Sequence, residues 1–158
     1  MEAVIRPRWS KNRFDLDTAG LSVGAREIAS WLSDDVGTKD SADEWIRRFE
    51  PLVRTGGRGY MGTGNAHNVG AISNYIFLEC EFVENQKVLA NVKDLILALM
   101  AYKEFLSVAK TTPGNEPMPF EVRYEKEGEA ALRFYLDAGG RLGLTQEEID
   151  EDTKEMNE

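Results

Sequence analysis

The sequence predicts an α+β fold: an antiparallel sheet of four to six strands with helices packed mainly on one face. Three observations carry it. First, ISNYIFLECEF (72–82) is the clearest strand, and KVLANV follows after a turn at Glu84-Asn85-Gln86, the pattern of an antiparallel hairpin. Second, Val92 to Val108 is apolar at helical spacing, through Leu95, Ile96, Leu99, Met100, Tyr102, Phe105 and Leu106. So broad a stripe marks a central helix lying across a sheet. Third, two earlier segments carry amphipathic helical patterns with start signals. The 158 residues fit a single domain, 1–158, able to build a core without metal or disulfide staples.

In chain order, AVIRPRW, a turn at Ser10-Lys11-Asn12 and FDLD form a short hairpin, with Pro7 making the first strand an edge or irregular one. Residues 22–33 form a helix with Ser22 as N-cap and an apolar face of Ala25, Ile28, Ala29 and Leu32. Trp31 falls off that stripe and is expected at the surface; Trp9 and Trp45 are expected in the core. A second helix begins at Ser41, where Ser41 and Glu44 form a capping box. Trp45, Ile46 and Phe49 make its buried stripe, and Pro51 should kink or end it. Residues 56–70 hold six of the fourteen glycines and read as a loop leading into a strand. After a proline-bearing loop, FEVRY reads as a strand, and EGEAALRFYLDAGG as a helix stopped by Gly139-Gly140. Thr145 to Glu148 is a second capping box; the helix it opens, within 145–158, has only Ile149 and Met156 as apolar anchors and should fray.

Charge and residue supply narrow the chemistry. Of the net charge of −9, the last twelve residues contribute seven acids against Lys154. That balance disfavours nucleic-acid binding and attracts a basic protein partner. The longest apolar run, Leu95 to Tyr102, is far too short to span a bilayer, and no signal-peptide core opens the chain. A cytoplasmic protein without membrane contact is expected. One cysteine, Cys80, and one histidine, His67, exclude an internal disulfide and zinc sites built from several Cys and His ligands. No metal or cofactor is expected.

Gly57, Gly59 and Gly62 spell G-x-G-x-x-G, but a helix precedes and a strand follows, the reverse of the dinucleotide-binding context. The run reads as a tightly turning loop. His67, in N-A-H-N, reads as a partly exposed histidine bonded locally at the start of a strand, with general-base catalysis as the alternative. Alternation places Ile76, Leu78, Cys80 and Phe82 on one apolar strand face, so Cys80 reads as an inert core thiol. The other face carries Tyr75, Phe77, Glu79 and Glu81. Two aromatics beside two carboxylates have the composition of a patch for a basic partner. The competing reading covers the aromatics with another element and leaves the glutamates solvated.

The central block resembles small bacterial immunity proteins of contact-dependent inhibition and polymorphic-toxin systems. The residues that carry the resemblance are the turn G-T-G-N-A (Gly62 to Ala66), the strand Y-I-F-L-E-C-E-F (Tyr75 to Phe82) and the helix D-L-I-L-A-L-M-A-Y-K-E-F-L (Asp94 to Leu106). It spans roughly residues 58–108. It implies a cytoplasmic, non-catalytic protein that binds and blocks a cognate toxin domain, often a basic nuclease. Such families share no fixed contact residues. The candidate toxin-binding residues Tyr75, Phe77, Glu79 and Glu81, with Glu147, Glu148, Asp150 and Glu151, rest on alternation and charge alone. The alternatives are a small hydrolase or nucleotide-binding enzyme using loop 56–70 with His67 and Glu79 or Glu81, and an acidic nucleic-acid-mimic inhibitor.

Overall fold

A computed structural model describes residues 1–109 and 115–142, together with Glu151 and Lys154. The elements are β1 (Glu2–Ser10), β2 (Arg13–Asp17), α1 (Val23–Trp31), a π-helical segment (Leu32–Val36), α2 (Lys39–Thr55), β3 (Gly57–Thr63) and β4 (His67–Ser73). Then follow β5 (Tyr75–Cys80), β6 (Lys87–Asn91), α3 (Val92–Val108), β7 (Phe120–Arg123), β8 (Lys126–Glu127) and α4 (Gly128–Asp137). The α+β class holds. Among the described residues the strands divide between two antiparallel sheets, ordered β2-β1-β7 and β3-β4-β5-β6-β8, rather than forming one. No helix among the described residues is long and apolar enough to cross a membrane. The second capping box, Thr145 to Glu148, lies outside the described residues.

The first hairpin turns at Lys11 and Asn12, both with positive φ (51° and 67°), the backbone that a tight two-residue turn between twisted strands requires. β1 is central in its sheet, yet its two halves pair differently. Glu2 to Ile5 pair with β7 and Arg6 to Ser10 with β2. Pro7 therefore sits in a half of β1 that, among the described residues, pairs with β2 alone, where its missing N–H does least harm.

The helices depart from expectation in detail. Ser22 precedes α1, but its hydroxyl lies 2.6 Å from the Tyr124 hydroxyl and does not cap the helix. Instead Gly24 N–H donates to the Glu127 carboxylate at 2.8 Å, an anion at the positive end of the helix. In α2, Thr38 is the cap and accepts the Ser41 N–H, so the Ser41–Glu44 capping box does not form. The helix also runs through Pro51 to Thr55; Pro51 is exposed, where a carbonyl lacking its N–H partner can be hydrated. Trp31 is fully buried, on the same side of α1 as Gly24 and Ile28, because α2 lays Trp45 and Phe49 against it. Trp9 is 37 % exposed at the end of β1, not core.

The glycine-rich run forms most of a hairpin rather than a loop. β3 pairs with β4 across it, with a register shift between Tyr60 and Gly62. Gly59 and Gly62 have φ of 146° and 131°, values that let the strand continue through this irregularity.

Two cores flank the five-stranded sheet. Val69, Ala71, Ile76, Leu78, Val88 and Ala90 point into the larger one, shared with α1, α2, α3 and the three-stranded sheet. Ile72, Phe77 and Leu89 point the other way and are covered by Ala131 and Tyr135 of α4. Gly70 pairs with Phe77, and a Cβ at Gly70 would collide with the Tyr135 ring and hydroxyl. Glycine there lets α4 lie close to the sheet. As expected, α4 stops just before the glycine pair: its last residue is Asp137, and Gly139 follows with φ of 99°.

Candidate functional site

Beneath the β5–β6 turn lies a cluster of buried polar side chains. Glu27 comes from the core face of α1, in step with Gly24, Ile28 and Trp31, and is fully buried. His67 opens β4 and is fully buried. Its Nδ1 is 2.8 Å from Glu27 Oε2, and its Nε2 is 3.0 Å from Asp34 Oδ2. Gln86 donates its Nε2 to the other Glu27 oxygen at 2.9 Å. Cys80 joins from β5, opposite His67 in the strand register.

The backbone delivers these groups through two local devices. The π-helical segment Leu32–Val36 widens the last turn of the first helix and ends at Gly37, with φ of 68°. It carries Asp34 and Asp35 to the start of β4. The Asp35 carboxylate then accepts three successive backbone N–H groups, from Asn65 (2.9 Å), Ala66 (3.1 Å) and His67 (3.0 Å). This is a backbone concavity wrapped around an anion. A Cβ at Gly64 would strike that carboxylate. The G-T-G-N-A turn is thus the socket that seats Asp35 and fixes the position of His67.

Burial alone would lower the His67 pKa, but the Glu27 and Asp34 carboxylates outweigh it and hold it up at about 9. Burial pushes the Glu27 carboxyl above its usual range, opposed by His67 and Gln86. One proton therefore stays between Nδ1 and Oε2 at neutral pH, as imidazolium–carboxylate or as imidazole–carboxylic acid. Neither form leaves His67 a free lone pair to act as general base. The Asp34 side chain is 51 % exposed. It lines a groove of about 540 Å³ with Lys11, Arg13, Asp15, Ser30 and Ser33.

The residues proposed from sequence separate. Phe77 leaves the candidate surface set. It is fully buried, stacked on Tyr135 at 4.6 Å, because α4 covers that face of the sheet. Tyr75 is half-buried, edge-on to Phe134 at 5.5 Å. Glu79 is half-buried and accepts from Asn68 Nδ2 at 3.0 Å; Glu81 is exposed. Glu151 is exposed, while Glu147, Glu148 and Asp150 lie outside the described residues.

The apolar-face reading also needs correction. β5 ends at Cys80, so Phe82 lies in the following turn and is 76 % exposed, with Val83 beside it at 47 %. Cys80 is half-buried rather than core. His67 is wholly buried, not partly exposed, and its side-chain partners are distant in sequence.

The turn carrying Phe82 is anchored from below. Cys80 N–H donates to Gln86 O, Glu81 N–H to Ala66 O and Gln86 N–H to Val83 O. Gln86 is buried and reaches Glu27. The buried cluster and the exposed tip are one unit. Sequence reasoning missed Glu27, Asp34, Asp35 and Gln86. The one available signal was Glu27 itself, a charge in step with an apolar helix face. No protein-family model, curated protein or solved structure matches the chain.

Proposed function

We propose that this chain is an immunity protein that neutralises a bacterial toxin domain, and that it binds the toxin through the β5–β6 tip. The observation that carries the reading is the solvent-facing Phe82 and Val83, bracketed by Glu81 and Glu84 on a turn held by backbone hydrogen bonds and by the buried Gln86–Glu27 bond. An aromatic anchor that is exposed and already positioned loses little entropy on docking. The flanking carboxylates favour a basic partner and speed its approach. Half-buried Glu79 extends the acidic side of this surface along β5. The net charge of −9 acts in the same direction, and a nuclease domain, basic because it holds nucleic acid, is the partner class it suits. The central resemblance to immunity proteins agrees with this reading.

The test is capture of the toxin domain encoded beside the gene by the purified protein, at one-to-one stoichiometry. Phe82→Ser and the double charge reversal Glu81→Lys/Glu84→Lys should each weaken capture at least tenfold, with the melting temperature unchanged. No captured toxin domain, or capture indifferent to both variants, would overturn the proposal.

A further inference from the structure

We propose that Glu27, His67 and Cys80 form a binding site for zinc or a similar borderline divalent cation. One ligand atom from each residue lies within 4.8 Å of the other two. The donor set is one imidazole nitrogen, one carboxylate oxygen and one thiol sulfur, the mixture that zinc accepts. Zinc bonds of about 2.0–2.1 Å to nitrogen and oxygen and about 2.3 Å to sulfur place tetrahedral donors roughly 3.3–3.6 Å apart. The Nδ1–Oε2 separation of 2.8 Å would open slightly, and the sulfur would swing inward, to admit the ion.

The surroundings are those of a metal site with its outer hydrogen bonds in place. His67 Nε2–H donates a hydrogen bond to the Asp34 carboxylate, which fixes the ring and leaves Nδ1 for the cation. Gln86 holds the Glu27 oxygen that points away from His67. Binding releases the Cys80 thiol proton and the Nδ1 proton to solvent. A divalent ion with one thiolate, one carboxylate and a neutral imidazole is uncharged overall, which suits a site where Glu27 and His67 are fully buried. Half-buried Cys80 marks the side from which the ion enters. A fourth coordination position is left for water or an incoming ligand. The seated ion would brace the tip from below, since Cys80 and Gln86 also hold that turn.

The test is a titration of the chelator-treated full-length protein with Co²⁺, followed by Zn²⁺. One equivalent of Co²⁺ should bind with a thiolate-to-cobalt absorption band, and Zn²⁺ should bleach it. Cys80→Ser should abolish the band and weaken metal binding, and Asp34→Asn should weaken it about 10–100-fold. In the unmodified chain, Zn²⁺ should slow alkylation of Cys80, a reading that does not depend on any variant folding. Failure to take up one equivalent, undiminished uptake by a folded Cys80→Ser protein, or alkylation indifferent to Zn²⁺ would each overturn the proposal.

Discussion

Replacing Phe77 with alanine separates a core role for this residue from a surface one. Its ring is fully buried and stacks on Tyr135 with an interplanar angle of 11°. Truncating a buried phenylalanine costs about 3–5 kcal/mol, as lost transfer energy plus a cavity. The second core is small, with Ile72, Leu89, Ala131 and Tyr135 around the ring, and α4 covers it, with Leu142 packed against it beyond the helix. One helix can settle partway into the space, so the lower end applies, about 3–4 kcal/mol. For a domain of this size each kcal/mol moves the melting temperature by about 2–4 °C. A fall of about 6–16 °C is expected in a thermal melt followed by far-ultraviolet circular dichroism. Urea unfolding should show a lower midpoint with an unchanged slope. A surface interface residue would instead leave stability within about 0.5 kcal/mol. A melt unchanged from the parent would refute the packing assigned to α4.

Three further outcomes follow from the same geometry. Gly70→Ala should cost about 1–3 kcal/mol by driving a methyl into Tyr135, and the cost should be less than additive with Tyr135→Leu in a double-mutant cycle. Glu27→Ala should lower stability by about 3–5 kcal/mol, since it strands buried His67 and Gln86. Asp34→Ala, at a half-exposed position, should cost about 1 kcal/mol or less, and equal urea midpoints for these two variants would contradict the ranking. Gly64→Ala should push Asp35 out of its backbone socket and accelerate amide hydrogen exchange at Asn65, Ala66 and His67, while exchange in α4 stays as it was.

The elements legible in the sequence are those whose signals are local. The apolar run of α3, the β5–β6 hairpin, the first hairpin and the stop of α4 just before Gly139 all stand close to where periodicity and turn chemistry put them. The two faces of β5 were harder. Alternation sorts residues by face, but it marks one face as wet only when that face is polar. Here Tyr75 and Phe77 are apolar like Ile76 and Leu78, the pattern of a strand covered on both sides. Carrying the alternation two residues too far also assigned Phe82 to the core, whereas the chain leaves the strand after Cys80.

The glycine-rich stretch misled for a related reason. Its glycines serve close approaches and positive φ within strands, at Gly59, Gly62 and Gly70, as well as turns. The buried cluster is the least legible part. His67 meets Glu27 from forty residues away, and Gln86 meets it from fifty-nine, so no window along the chain contains the site.

The divided pairing of β1 bears on the order in which the molecule assembles. Strands β3 to β6 close through neighbouring hairpins, so their contacts span short loops and cost little chain entropy. The front half of β1 pairs with β7, and Glu2 meets Arg123 across more than a hundred intervening positions. During synthesis, Glu2 to Ile5 must wait for that late segment to emerge, while Arg6 to Ser10 can already pair with β2. β1 is therefore half docked and half free until β7 has been made, and its pairing with β7 is the seam that closes the three-stranded sheet.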